Sequence, residues 1–168
     1  MTKLQAILGS SLFLALAPGS VAGLMPYLLG FWKIDPPLFG MLGIRWAGAI
    51  LILLCAPLLI DSFARFAWQG LGTPAPISPT KTLVVSGLYR FVRNPMYVAI
   101  ATILAGELLI TGNLAFLPYI TIVCFMFYLF VIFYEEPALE KCFGATYKEY
   151  CQHVPRWMPR LTPWRTEN

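Results

Sequence analysis

The residues best suited to chemistry are charges set beside two apolar runs. Arg90 and Arg93 precede the run 96–111, with Pro95 at its expected first helical turn. Glu135 and Glu136 close the run 114–134, just ahead of Pro137. A cation at a helix N-terminus and an anion at a C-terminus each oppose the macrodipole, by roughly 0.3–1 kcal/mol. Helix stability alone would favour the reverse signs. If a tight turn at Gly112-Asn113 joins the two runs, they rise about 25 Å and about 32 Å from it. The basic and acidic ends then lie at similar depth. Such a pair suits a ligand carrying both an ammonium and a carboxylate. The plainer alternative is that Arg93 and Glu135 neutralise each other, but a surface pair contributes at most about 1 kcal/mol. That alternative leaves two adjacent glutamates poorly explained.

The elements that must position these groups are set by composition. The 168 residues are 58% hydrophobic and 12% charged, against about 25% charged in soluble domains, and the mean hydropathy is +0.70. So few charges cannot coat a water-exposed surface, and so much apolar content excludes disorder. We expect an all-α, polytopic membrane helix bundle forming a single domain over 1–168. It has four or five transmembrane helices and a C-terminal interfacial helix. Residues 4–29 form an uncharged run, interrupted by Pro18, Gly19, Gly23 and Pro26; it also resembles a leader peptide and is read as a retained span. Residues 38–60 are a second run, with Arg45 able to snorkel, so that 1–60 supplies two spans. The run 96–111 is third, and 114–134 is fourth.

With four spans, Lys3, Arg65, Lys81, Arg90, Arg93, Lys141, Lys148, Arg156, Arg160 and Arg165 share one side, and Lys33 and Arg45 the other. Ten against two places both termini, and the loop 61–95, in the cytosol.

Other features read as structural. Glu107 is an ionisable group inside a run, hence a functional candidate by default, although near the Gly112-Asn113 turn it can simply reach the far interface. Ala101, Ala105 and Gly106 suit close helix approach. In the tail 138–153, Leu139, Phe143, Tyr147, Tyr150 and Val154 recur at three- and four-residue spacing, the apolar face of an interfacial helix that could seal the bundle or lid a site. Arg156, Trp157 and Arg160 read as interface anchors. Cys55, Cys124, Cys142 and Cys151 form no disulfide framework, and with His153 as the single histidine no metal site is expected. The net charge of +4 comes from dispersed residues, which suits a lipid bilayer face and not nucleic acid.

The stretch Lys81-Thr82-Leu83-Val84-Val85-Ser86-Gly87-Leu88-Tyr89-Arg90-Phe91-Val92-Arg93-Asn94-Pro95-Met96-Tyr97 resembles the segment before the penultimate span of isoprenylcysteine carboxyl methyltransferases, and of related phospholipid N-methyltransferases. That family's pattern is a basic-His-Pro-x-Tyr signature, a hydrophobic hairpin, and a Glu-Glu pair. A tail like Phe143-Gly144-Ala145-Thr146-Tyr147-Lys148-Glu149-Tyr150, ending in Val154-Pro155, completes it. The likeness covers about residues 80–160, a cofactor-binding catalytic region. It implies a membrane-embedded methyltransferase that uses S-adenosylmethionine and a lipophilic or lipidated acceptor. By position, the cofactor would contact Lys81, Thr82, Leu83, Val84, Tyr89, Asn94, Pro95, Met96, Tyr97 and Glu135. Tyr147 and Tyr150 could lid it. Glu135 would take the ammonium, and Arg93 or nearby backbone N–H groups the carboxylate.

The chain departs from the pattern twice. Asn94 replaces the signature's histidine, and Val131-Ile132-Phe133 stands where the carboxyl methyltransferases carry an arginine for the substrate carboxylate. Methyl transfer from a sulfonium is an in-line displacement that mainly needs alignment and exclusion of water. An amine acceptor must also lose a proton, for which Glu136 is the candidate base. Two other classes stay open: a nicotinamide-dependent membrane reductase of the sterol type, which would need more basic residues for its cofactor's phosphates, and a non-catalytic membrane subunit.

Overall fold

The computed structural model describes residues 3–70 and 82–165, and every regular element among them is helical. Helix α1 (Lys3–Gly19) passes through a π-helical turn (Ser20–Leu24) into the short α2 (Met25–Leu28). Helix α3 spans Leu42–Gly70, α4 Pro95–Thr111 and α5 Phe116–Phe130. A second π-helical turn (Val131–Glu135) carries α5 directly into α6 (Glu136–His153). Among the described residues three stretches are long and apolar enough to cross a membrane: Ser11–Leu28, Leu42–Arg65 and Phe116–His153. The 17-residue α4 is apolar but shorter.

Helices α3 and α4 form the most extensive pairing, and two glycines explain how closely they pass. A Cβ on Gly48 would sit 2.5 Å from the Gly106 carbonyl oxygen, and one on Gly106 would sit 2.8 Å from that of Gly48. The backbones can therefore touch only where both side chains are missing. Around this crossing Leu104 and Phe116 are wholly buried, with Leu59, Phe63, Ile100 and Ile103 beside them. Leu53, Leu54, Phe125, Met126 and Phe133 point outward, as a lipid-facing surface requires.

The α4–α5 hairpin is closed as its sequence predicts. Gly112 takes φ +71° and its N–H donates to the Leu108 carbonyl at 2.8 Å, a left-handed cap. Asn113 Oδ1 accepts the Ala115 N–H at 3.1 Å. The loop after α2 docks on this tip, with the Asp35 N–H donating to Thr111 O at 2.8 Å.

The helix limits correct three expectations. The second run does not end at Ile60, because α3 continues to Gly70. Past Ile60 the Asp61–Arg65 pair, at 2.7 Å one turn apart, supports the extension. Its start is also later: Leu38–Gly40 is a 3-10 turn containing Phe39 at φ 55°. Finally, the backbone does not stop at Tyr134. Pro137 falls just after the π-helical turn, whose wider coil accommodates a residue without an N–H, so the chain runs on. Helix α6 breaks once, at Gly144 (φ 53°, ψ −122°). The expected apolar face of the tail does gather in one cluster: Tyr147, Tyr150 and Val154 are buried against Leu139 and Phe143, with Leu83 and Trp164.

Candidate active site

Arg93 stands in the turn ahead of α4, where its charge opposes the helix dipole. The backbone there is fixed by the tail: the Arg93 N–H donates to Pro155 O at 2.9 Å, and Asn94 Nδ2 donates to Arg156 O at 3.1 Å. Two further bonds strap the C-terminal segment to the same turn, from Arg160 N–H to Phe91 O (3.0 Å) and from Trp164 N–H to Arg90 O (2.9 Å).

The dipole argument does not carry over to the glutamates. They lie inside a continuous helical path, where the Glu136 N–H already donates to Val131 O, so neither stands at a free helix end. What the turn does is separate two adjacent carboxylates. Glu136 Oε1 meets Arg93 Nη1 at 3.0 Å, with side chains only 12% and 18% exposed. Arg156 grips the same carboxylate with two bonds, Nε to Oε1 at 2.7 Å and Nη2 to Oε2 at 2.8 Å. Glu135 instead accepts from the Tyr97 hydroxyl at 2.8 Å, and among the described residues no cation pairs with it. Arg93 also donates to Cys151 Sγ at 2.7 Å, while its buried Nε has no acceptor.

Two adjoining spaces use these groups as a common wall. The larger, about 200 Å³, is lined by Phe13, Ala17, Pro18 and Val21 of the first helical stretch, by Phe63, and by Pro95, Met96, Tyr97, Ile100, Phe127 and Phe130. The smaller, about 40 Å³, lies under α6 between Leu83, Val84, Leu139, Tyr147, Tyr150 and Glu136. Tyr89, Arg93, Asn94 and Glu135 line both. The Tyr150 hydroxyl donates to Tyr89 O at 2.6 Å, latching α6 onto the Gly87–Arg90 turn. Burial, and then the Glu135 carboxylate, push the Tyr89 phenol well above its ordinary pKa, so it faces both spaces as a neutral ring.

Leu83, Val84, Tyr89, Arg93, Asn94, Pro95, Met96, Tyr97, Glu135, Glu136, Tyr147 and Tyr150 thus converge on two contiguous spaces. Thr82 is exposed and lines neither, and Lys81 lies outside the described residues. Three features went unforeseen. Arg156, read as an interface anchor, is a member of the ion network; its position 20 residues after Glu136 carries no helical spacing that would reveal this. Cys151 contacts Arg93 from a cluster otherwise apolar. The first stretch, without any motif, walls the larger space through Phe13 and Val21. Glu107 sits at the other end of α4, accepting from Trp32 Nε1 at 3.3 Å.

No solved structure matches the chain. Over 79 residues, 47% of its length, it is 32% identical to a protein-S-isoprenylcysteine O-methyltransferase of Schizosaccharomyces pombe. The matched stretch spans 34% of that relative. The sequence model of phospholipid methyltransferases matches residues 44–146, which include α4, α5, the π-helical turn and both glutamates. With most of its length inside that match and its charged residues gathered around paired spaces at one end of the bundle, the chain belongs to the phospholipid methyltransferase family.

Proposed function

We propose that the chain transfers a methyl group from S-adenosylmethionine to a lipophilic acceptor, the carboxylate or amine of a prenylated or lipid molecule, at the cytosolic face of a membrane. Four crossings, by the first stretch, α3, α4 and α5, leave both termini and the site on that side, and α6 lies along the interface. The observation that carries this reading is that two incompletely satisfied groups line the same pair of spaces. Among the described residues Glu135 meets no cation and holds a tyrosine hydroxyl, and Arg93, paired through Nη1 with Glu136, keeps a buried Nε without an acceptor. Buried polar atoms without partners are rare, and these two converge on volume that a ligand can enter.

A zwitterionic amino-acid end fits both, its ammonium on Glu135 and its carboxylate on Arg93. When bound, S-adenosylmethionine supplies an electrophilic methyl on a sulfonium. The chain's own residues bind and align. Tyr89 and Tyr97 offer rings to a cation or an adenine. Glu136, held on both oxygens by arginines, positions Arg93 and keeps a free lone pair on Oε2, through which it is the candidate base for an amine acceptor. Glu135, engaged by the ammonium, lines both spaces and orients the cofactor at their junction. The apolar walls of that space suit the acceptor and exclude water. The smaller space, about 40 Å³, is far below nucleoside size, so binding requires α6 to lift from the Gly87–Arg90 turn. Only one arginine lines that cleft, which disfavours a cofactor with several phosphates.

Methyl-labelled S-adenosylmethionine and the full chain in detergent test this directly. Arg93→Ala is expected to weaken binding at least about tenfold, and Arg93→Lys less, since loss of a charge-assisted bond has that size. Wild-type binding by both variants would overturn the site. Incubation with a lipid extract should move label into the organic phase, with base-labile label reporting an ester and base-stable label an amine.

A further inference from the structure

A third space opens on the far side of the segment that walls the small cleft. It is a groove of about 510 Å³, lined by Arg65, Val85, Ser86, Gly87, Arg90, Trp164 and Arg165. Three guanidiniums converge there from three separate parts of the chain. Arg65 comes from the end of α3 and lies across Gly87, whose φ of +54° and missing Cβ leave room for it. Arg90 comes from the 3-10 turn, and its Nε is held by Trp164 O at 2.7 Å. Arg165 follows Trp164, whose ring packs on Tyr150 and His153. Among the described residues one carboxylate, Asp61, meets this group, taking Arg65 Nε at 2.7 Å. Both Arg65 and Arg90 are thus fixed through Nε, which leaves their forked terminal nitrogens to meet a ligand. Among the described residues three cations stand there against one anion, and forked guanidiniums match a phosphate.

Depth chooses between possible sources of that phosphate. Leu42–Arg65 is the stretch of α3 apolar enough to cross a membrane, and Arg65 is its last residue. Its long side chain therefore reaches outward from the edge of the hydrocarbon. The headgroup layer on each side of a bilayer is about 5–8 Å thick. The groove therefore sits at the level of lipid phosphates, with an indole at its rim as interfacial sites commonly have.

We propose that this groove binds the phosphate of an anionic membrane phospholipid, at a site separate from the two spaces used for methyl transfer. The inference rests on the membrane placement of the helices and is independent of the methyl-transfer reading.

The test uses the full chain in detergent micelles with phosphatidylcholine, titrated with phosphatidylglycerol, reading the thermal unfolding midpoint. Phosphatidylglycerol should raise the midpoint and phosphatidylcholine alone should not. Arg165→Gln, an exposed position, should need about tenfold more phosphatidylglycerol for the same shift, and Arg65→Gln/Arg165→Gln should abolish it. Added salt should reduce the wild-type shift, because exposed charges are screened. An equal shift from phosphatidylcholine, or a wild-type response from Arg165→Gln, would overturn the proposal. Inorganic phosphate producing the same shift without lipid would reject the lipid in favour of a soluble anion. Should the double variant fail to fold, Arg165→Gln alone decides the matter.

Discussion

The two ends of the helix bundle use the same parts for different ends. At the hairpin tip Trp32 donates to Glu107 and Arg45 donates to the Asp35 carbonyl. At the opposite end Tyr97 donates to Glu135 and Arg93 pairs with Glu136. Each end has a carboxylate on an aromatic donor, and each has an arginine whose buried Nε lacks an acceptor. The difference lies in what surrounds them. Arg45 bonds to the loop that docks on the hairpin, and that loop in turn bonds to Thr111. These contacts close the fold. Arg93 and Glu135 line two spaces at once, one apolar and one beneath α6. An unsatisfied polar atom is therefore weak evidence for a site until it converges with others on a volume a ligand can enter.

Paired substitutions put that contrast at risk. The largest effect is expected from Glu135→Gln, which should weaken S-adenosylmethionine binding about 10- to 100-fold, the size of a lost charge-assisted bond. Glu107→Gln should leave it within about twofold. Equal losses in a direct binding titration would erase the distinction between the ends. Next is Gly112→Val, which forces a branched residue to φ +71° with its Cβ against the Pro36 carbonyl. Its cost should be about 2 kcal/mol, seen as a lower unfolding midpoint in detergent, while the folded fraction binds normally. A binding defect without destabilisation would give the tip a role in the site. Smaller still, Tyr97→Phe should weaken binding about fivefold through one hydroxyl worth about 1 kcal/mol. Trp32→Phe should cost stability of similar size and leave binding alone.

Much of the bundle was legible because apolar runs and turn residues act locally. Gly112 and Asn113 cap the hairpin as their types require, and the three- and four-residue spacing of Leu139 to Val154 packs as one face. The approach of Arg93 to the glutamates was legible too, since two helices leaving one tight turn end at comparable depth. Which glutamate it meets was not. That depends on the π-helical turn, and one extra residue per turn leaves no mark in hydropathy. The extension of α3 beyond Ile60 was hidden for a different reason. Hydropathy reports the edge of the oil, whereas a helix ends where a breaker or cap ends it. Arg156 and the first stretch joined the site through tertiary contacts that no spacing encodes.

The wide turn at Val131–Glu135 has a consequence for how this chain tolerates change. A π-helical turn absorbs one extra residue by widening, so deleting a single amino acid there would relax it to ordinary α-helix and leave everything downstream nearly in phase. Tyr147 and Tyr150 would keep their seats, while the local widening that aims neighbouring acids at different partners would be gone. These five positions thus set the direction of two side chains without redirecting the chain, a change to which the membrane itself is indifferent and the chemistry is not.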